Sequence, residues 1–589
     1  MSGGPGTVIL QCPDKGHWLR FSRPVEVASA LQAEEVQPAL RRIEDAVSHQ
    51  RLFAAGFVSY EAAPAFDRAL KVRCSPDVPL IWLGLYERAE PIQGPADFGV
   101  PPQQLEWSPT VSREEYEGAL RNIKAYIAAG VTYQVNYTYR LRAPFSGDPW
   151  VYFAGLAGGG RTGYAAFVDA GRWAVCSVSP ELFFSVKDGI LVSRPMKGTA
   201  PRGSTLREDD ERARWLGNSE KNRAENLMIV DMIRNDVGRI AEIGSVTVPR
   251  LCEVERFPTV LQMTSTVSAR VPGSIGGIVS ALFPCASITG APKVSTMGII
   301  AEVESTPRGL YTGAIGYVAP DGEGIESQFN VAIRTVTVDR SLAVAEYGVG
   351  GGILWESEPG EEYRECEIKT RVLRHGQSTG PRALELLEAI LWTPAEGYFL
   401  LERHLARLSE SAQYFEVPVD MSALREALDE LVERLPREDH KVRIAVDRGG
   451  KTVVTAQPLS AVPRPALQRV CLAARPVDSS DPALYHKTGG RAAFDRELSE
   501  HPACNDVLLW NERGEVTESC TANIVAEVAG PKITPPVRCG LLAGIFRSKL
   551  LEEGAITERL ILKDALRSAR AIWLINSVRR WMPAVLVGR

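Results

Sequence analysis

Two mixed α/β domains in tandem, a large one followed by a smaller one, are what this sequence of 589 residues predicts. Three observations point to that class. Through about residue 370, strand-like runs alternate with charged helical stretches. At 375–382 the text becomes HGQSTGPR, short, polar and rich in Gly, Ser and Pro, which marks a boundary. Beyond it an amphipathic helical pattern starts at once and gives way to β-rich runs. The expected division is 1–375, a linker at 376–382, and a second domain at 383–589.

The elements follow in order. GRWAVCSVS (171–179), GILVSRP (189–195) and SLAVAEYGVGGGI (341–353) read as strands, and the charged stretch 207–241 reads as helical. Gly158, Gly160 and Gly163 formally satisfy G-x-G-x-x-G, but YAAFVDAG after them reads as a strand, so no helix N-terminus is available for a pyrophosphate. In the second domain Leu401, Leu405, Leu408, Ala412 and Phe415 recur at helical spacing and name a core face. The runs KVRIAVDR, KTVVTAQP, NDVLLWN and TANIVAEV then read as strands. No repeat period or low-complexity tract interrupts this pattern.

Composition excludes several classes of function. Lys and Arg total 67 against 72 Asp and Glu, a formal net charge of −5, with no long basic run to attract nucleic acid or anionic lipid. The start, MSGGPGTVILQCPDK, lacks a charged and apolar leader, and no stretch approaches ~18 uninterrupted apolar residues, so a cytoplasmic protein outside the membrane is expected. The 10 cysteines are scattered without CxxC or metal-ligand spacing, and reduced, mostly buried thiols are expected. None sits in a G-x-C-x-G elbow that would present a thiolate for glutamine hydrolysis.

In EEYRECEIKTRVL (361–373), helical spacing puts Glu362, Glu365 and Lys369 on one face. Alone, Glu365 and Lys369 read as a surface ion pair. Glu225 opens a run so apolar (Leu227, Met228, Ile229, Val230, Met232, Ile233) that its helix is expected to be largely buried, and a carboxylate there needs a partner. Two such helices meeting would offer carboxylates suited to Mg2+. Spacing does not establish that they meet.

The ordered series SPE (179–181), RPMKGTAPRG (194–203), KNRAENLMIVDMIRND (221–236), FPCASITGAPK (283–293), RGLYTGAIGY (308–317), NVAIRT (330–335), GVGGGI (348–353) and EEYRECEIK (361–369) closely resembles the chorismate-utilising enzymes. The resemblance covers nearly all of 50–373 and implies a chorismate substrate, a Mg2+ ion and an α/β sandwich of sheets flanked by helices. It further implies that Glu225, Glu362 and Glu365 serve the metal, that Thr199, Ser287, Tyr311, Arg334, Gly350, Gly352 and Lys369 bind the substrate, and that Glu181 is the general acid. Relatives that make anthranilate, isochorismate or salicylate carry Ala where this chain has Lys197. The lysine therefore resembles the aminodeoxychorismate-forming branch, in which it attacks ring carbon 2 and expels the 4-hydroxyl before ammonia adds at carbon 4. Such a lysine must be neutral, so burial or nearby cations should depress its pKa. Met196 for Ile, Gln262 for His and Asn222 for an acidic residue depart from the usual pattern. Because the chain lacks the thiol elbow, a separate glutamine amidotransferase subunit is the expected ammonia source.

In YHKTGGRAAFD (485–495), Lys487 lies between an aromatic–imidazole pair and a Thr-Gly-Gly turn. HLARL (404–408), GEVTESCTANIVAE (514–527), CGLLAGIFR (539–547) and INSVRRW (575–581) surround it in the order seen in fold-type IV pyridoxal-phosphate enzymes, with aminodeoxychorismate lyases the nearest resemblance. That likeness implies a smaller α+β domain in which Lys487 links to pyridoxal 5'-phosphate and Glu518 faces the pyridine nitrogen. It also implies that Arg407 and backbone amides near Ile545, Phe546, Ser577 and Val578 hold the phosphate. Without the resemblance, Arg407 reads as a partner of Glu410, with Arg403 able only to repel it. The implied product is 4-aminobenzoate, a folate precursor, with pyruvate released. A homodimer through this domain is also implied. Two alternatives stay open: an appended branched-chain or D-amino-acid type aminotransferase, and a C-terminal docking module without catalysis.

Overall fold

The computed structural model describes every residue except 1–3, 14–16, 75–76, 95–103, 159–162, 258–259, 273, 321, 323–324, 376–383, 462–464, 491, 529 and 588–589. The expected linker at 376–382 and Gly160 lie outside the described residues. The chain divides into two compact units, Met1–Pro201 with Ala213–Gly380 and Arg202–Arg212 with Pro381–Arg589.

The first unit is built on two large antiparallel sheets. One runs in the order Gly290–Ala291, Gln134–Pro144, Val344–Ile353, Thr335–Asp339, Trp173–Ser179, Tyr164–Ala170, Val8–Cys12, His17–Phe21 and Glu90–Ile92. The other runs Met196–Pro201, Val260–Arg270, Ile190–Arg194, Leu182–Lys187, Ile325–Val331, Ala314–Val318, Phe53–Val58, Ile81–Tyr86 and Glu26–Ala30. Val8, Leu10, Phe21, Val168 and Val175 of the first meet Ala55, Phe57, Tyr86, Ile315 and Tyr317 of the second in a core between them. Helices Arg113–Ala128 and Pro149–Ala157 cover the outer face of the first sheet. Helices Ala33–Gln50, Glu220–Gly238 and Ile275–Leu282 cover the second. Because both faces of each sheet are covered, strands such as IWLGLY (81–86) are apolar throughout instead of alternating.

The helical stretch 207–241 is two helices, Leu206–Asn218 and Glu220–Gly238, broken at Ser219, whose hydroxyl caps the second by accepting from the Asn222 amide. The second helix is less buried than its composition suggests. Ile229, Val230, Ile233 and Val237 face the core, while Leu227 is 50% exposed. The apolar run is longer than one face, and the excess points outward.

In the second unit a four-stranded sheet (Gly397–Tyr398, Leu386–Thr393, His440–Val446, Thr452–Pro458) packs on helices Leu401–Phe415 and Met421–Val432. Leu405, Leu408 and Ala412 form the expected core face, with Leu401 and Phe415 at its rim. An eight-stranded sheet follows, from Val516–Ser519 through Asp506–Trp510, Gln468–Leu472, Arg580–Leu586, Ala571–Asn576, Asn523–Glu527 and Lys532–Thr534 to Thr557–Glu558. Strand Gln468–Leu472 runs parallel to both neighbours. Among the described residues all cysteines are free, most are buried, and no helix is long and apolar enough to cross a membrane.

Phe21, fully buried between the two large sheets, lies 5.6 Å from Tyr86 and 5.9 Å from Tyr317, ring centroid to centroid. Phe21→Ala is expected to lower the unfolding free energy of the first unit by about 3–5 kcal/mol in denaturant titration.

Candidate active sites

Lys197 owes its placement to a local irregularity. Strand Met196–Pro201 pairs with Val260–Arg270, and the register shifts between Met196 and Thr199, so the bulge falls on Lys197 and Gly198. Gly198 adopts φ 91°, and a Cβ there would stand 3.0 Å from Asn222 on the adjoining helix. Gln262 donates to the Gly198 carbonyl at 2.9 Å and accepts from Thr199 Oγ1 at 3.1 Å, while Asn226 Nδ2 reaches the Lys197 carbonyl at 3.4 Å. Gln262 thus fastens the lysine loop.

Burial pushes the Lys197 ammonium below the ordinary lysine range, and nearby Lys369 adds to this against the pull of Glu225, Glu181 and Glu365. Glu181, just before strand Leu182–Lys187, is buried at 2% exposure. Burial raises its carboxyl to about 7, against the hydrogen bond it accepts from Ser287 Oγ at 2.6 Å and the field of Lys197. A carboxyl that holds a proton near neutrality and a lysine that sheds one more easily than usual therefore face each other electrostatically.

Strand Val344–Ile353 forms another wall, and its glycines are needed there. A Cβ on Gly348 would lie 2.2 Å from the Tyr311 ring, one on Gly350 2.1 Å from the Tyr137 carbonyl, and one on Gly352 2.2 Å from Gln134 Nε2 and 3.3 Å from Lys197 Nζ. Lys369 Nζ donates to the Gly350 carbonyl at 2.8 Å and pairs with Glu365 at 2.8 Å. Tyr311 lies under the Arg140 guanidinium, 4.9 Å from its centroid, within a buried network in which Arg308 pairs with Glu304 at 2.7 Å and its amide donates to Glu61 at 2.8 Å. Arg334 sits at φ 49°, and burial holds its guanidinium below the ordinary value. No ion-pair partner for it occurs among the described residues, so a bound carboxylate would complete it. Gln134, buried with neither amide atom hydrogen-bonded, was not found from the sequence because nothing in its spacing marks it.

Helices Glu220–Gly238 and Pro359–Thr370 do bring their carboxylates within electrostatic reach. Burial raises Glu225 to about 7, and Glu365 and Glu362 push it the same way. Burial also raises Glu362, which accepts from Ser357 Oγ at 2.7 Å, whereas the Lys369 ammonium beside Glu365 lowers that carboxyl. Among the described residues no three His, Cys, Asp or Glu side chains form a ready ligand cage. Two carboxylates raised by burial and mutual repulsion nevertheless suit a hard cation that keeps its waters and uses few protein ligands.

In the second unit a cavity of about 450 Å³ has Arg407, Lys487, Glu518, Ile545, Ser577 and Val578 on its wall. Phe546 does not line it. Its side chain packs against Phe399 and Trp581, leaving its backbone amide in the first turn of helix Ile545–Glu552, where N–H groups have no intrahelical acceptor. Gly544 before that helix has no room for a Cβ, which would lie 1.9 Å from Asn523 Oδ1. Glu518 accepts from Asn523 Nδ2 at 3.1 Å and the Leu542 amide at 3.3 Å. Arg407 does not turn to Glu410. Its Nε and Nη2 grip buried Glu388 at 2.8 and 2.7 Å, and Glu388 also bonds His404 Nδ1 at 2.7 Å. Burial would raise Glu388, but Arg407 and His404 outweigh it and hold the carboxyl at about 2. Arg403 does not merely repel: it pairs with Glu552 through two hydrogen bonds of 2.8 Å. Glu388 and His404 were invisible in the sequence because their partners lie on another element. An amine, a guanidinium, a carboxylate and a helix N-terminus around one cavity fit pyridoxal phosphate.

Known proteins agree with this layout. The family described as chorismate binding enzyme matches residues 6–375, and the family described as amino-transferase class IV matches 385–587. An aminodeoxychorismate synthase component 1 of Klebsiella aerogenes is 43% identical over 271 residues, covering 46% of this chain and 59% of the relative. Its namesake from Escherichia coli (strain K12) is 40% identical over 272 residues, with the same coverage of 46% and 59%. The chain thus spans about six-tenths of the length of these curated relatives. The crystal structure of anthranilate synthase component I from Streptococcus pneumoniae TIGR4 shares the fold at 24% identity and a TM-score of 0.52, covering 63% of this chain and 93% of that one.

Ser287→Ala removes a hydrogen bond that favours ionised Glu181. The Glu181 titration should therefore move further upward, as read by difference infrared spectroscopy of the carboxyl band. Glu388→Ala strands half-buried Arg407 and buried His404 and should cost about 3–5 kcal/mol of second-unit stability in denaturant titration.

Proposed function

The chain belongs to the chorismate-binding enzyme family, and from that premise we propose that it converts chorismate and ammonia to 4-amino-4-deoxychorismate and then releases pyruvate to leave 4-aminobenzoate, a folate precursor. The observation that carries the first step is Lys197 with its lowered pKa opposite Glu181, raised to about 7. Neutral Lys197 attacks ring carbon 2 as the carbon 4–oxygen bond breaks, and Glu181 gives its proton to the departing hydroxyl, which leaves as water. Ammonia then bonds to carbon 4 and expels the lysine from carbon 2, placing the amine para to the ring carboxylate. Arg334, Tyr311 and Lys369, with the glycine strand, orient the substrate's carboxylates. Glu225, Glu362 and Glu365 would hold Mg2+, which screens the ring carboxylate when bound.

In the second unit Arg407 and the amides near Ile545, Phe546, Ser577 and Val578 would bind the phosphate of pyridoxal phosphate, with Glu518 beside its ring nitrogen. The cofactor supplies an electron sink when bound. Lys487 moves the carbon 4 proton of the amino substrate, and pyruvate leaves as the ring becomes aromatic. The absence of a thiol elbow from the sequence and the relatives' designation as component 1 support a separate glutamine amidotransferase as ammonia donor. A cytoplasmic location and a homodimer through the second unit complete the reading.

Incubation of the chain with chorismate, Mg2+, pyridoxal phosphate and ammonium at mildly alkaline pH, followed by chromatography, should give 4-aminobenzoate and equimolar pyruvate. Anthranilate or salicylate would overturn the role of Lys197. An aminochorismate that stalls until a separate lyase is added would overturn that of Lys487, as would consumption of a 2-oxo acid acceptor. Glu181→Gln should slow chorismate consumption by about 10²–10⁴-fold. In the wild type, kcat should fall as pH rises through about 7, where Glu181 loses its proton, and Glu181→Gln should abolish that alkaline limb.

A further inference from the structure

Residues 202–212 follow the Lys197 strand in sequence, yet they belong to the second compact unit. They form a turn that runs into the start of helix Leu206–Asn218 and is locked on itself. Asp209 is completely buried and accepts from Arg202 Nε at 2.7 Å and from the Gly203 amide at 2.9 Å. Gly203 is obligatory because a Cβ would lie 2.2 Å from the Asp209 nitrogen. Arg212 closes the loop by donating to the Arg202 carbonyl.

The locked segment grips helix Leu401–Phe415 at Tyr414. The Arg202 guanidinium lies over the Tyr414 ring at 4.4 Å and donates to the Tyr414 carbonyl at 3.0 Å, and the Tyr414 hydroxyl donates to the Gly203 carbonyl at 2.8 Å. Tyr414 in turn supports His486, with ring centroids 4.4 Å apart, and Ser411 on the same helix shares a 3.0 Å hydrogen bond with His486 Nδ1. The next residue is Lys487. On its other side the chain is pinned to strand Leu386–Thr393: the Leu387 amide donates to the Lys487 carbonyl, and the Gly489 amide donates to the Glu385 carbonyl, each at 2.8 Å. Lys487 is therefore held from two sides, and one support is a segment that sequence order assigns to the other half of the chain.

We propose that residues 202–212 are a positioning strap for Lys487, with Arg202, Gly203, Asp209 and Tyr414 as its positioning residues. This rests on the reading of Lys487 as the pyridoxal-phosphate lysine. Displacing a reacting group by about 1 Å can cost on the order of 100-fold in rate, so a loosened strap should register at the second site.

The test uses the full chain loaded with pyridoxal phosphate. Asp209→Ala should alter the visible circular dichroism of the bound cofactor and lower kcat for pyruvate release from 4-amino-4-deoxychorismate by about tenfold. KM for that substrate and the consumption of chorismate with ammonium should stay within about twofold. Tyr414→Phe keeps the ring stack and removes only the hydroxyl, so it should fold and show a smaller change in the same direction, which guards against an unfolded Asp209→Ala. Wild-type cofactor dichroism and pyruvate release in Tyr414→Phe and in any folded Asp209→Ala would overturn the strap. So would an equal loss of chorismate consumption, which would assign the segment to the first activity. A wild-type chain with no cofactor band would instead overturn the reading of Lys487 itself.

Discussion

Withdrawal of ionisable groups from water governs this protein. In the first unit burial moves Lys197 and Glu181 in opposite senses, bringing an acid and an amine toward the same pH range from ordinary values six units apart. Neither shift comes from one strong partner. Each follows from placing the group where two covered sheets exclude solvent. The sandwich is thus a means of setting protonation states as well as a scaffold.

Close backbone approach is the second constraint. The glycines of strand Val344–Ile353 let Tyr311, Gln134 and Lys197 come nearer to the main chain than any side chain would allow. The bulge at Lys197 and Gly198 does the complementary work of pointing the amine at that wall. Surrounding charges are arranged in supporting pairs: Arg140 and Arg308 with Glu304 behind Tyr311, Lys369 with Glu365. Arg334 has no such partner among the described residues, the condition expected of a group meant for an anionic ligand.

The second unit solves the same problem differently. Glu388 is buried and ionised, and its two oxygens fix both Arg407 and His404 at the cavity wall. A buried charge network of this kind contributes little net stability but fixes geometry, since any other arrangement leaves a charge without a partner. The strap at 202–212 repeats the device with Arg202 and Asp209.

Periodicity and motif order were enough to determine the two mixed domains, the strands and the core face of helix Leu401–Phe415. These are local properties: side-chain alternation, helical spacing and turn composition are written in neighbouring positions. Tertiary structure alone decided the partners. Arg407 meets Glu388 rather than Glu410, Arg403 meets Glu552, Leu227 faces outward, and residues 202–212 join the second unit. Gln262, Asn226, Gln134 and His404 gained their places only when distant strands and helices were packed together. Ion pairing and desolvation depend on distance in space, which sequence separation does not record.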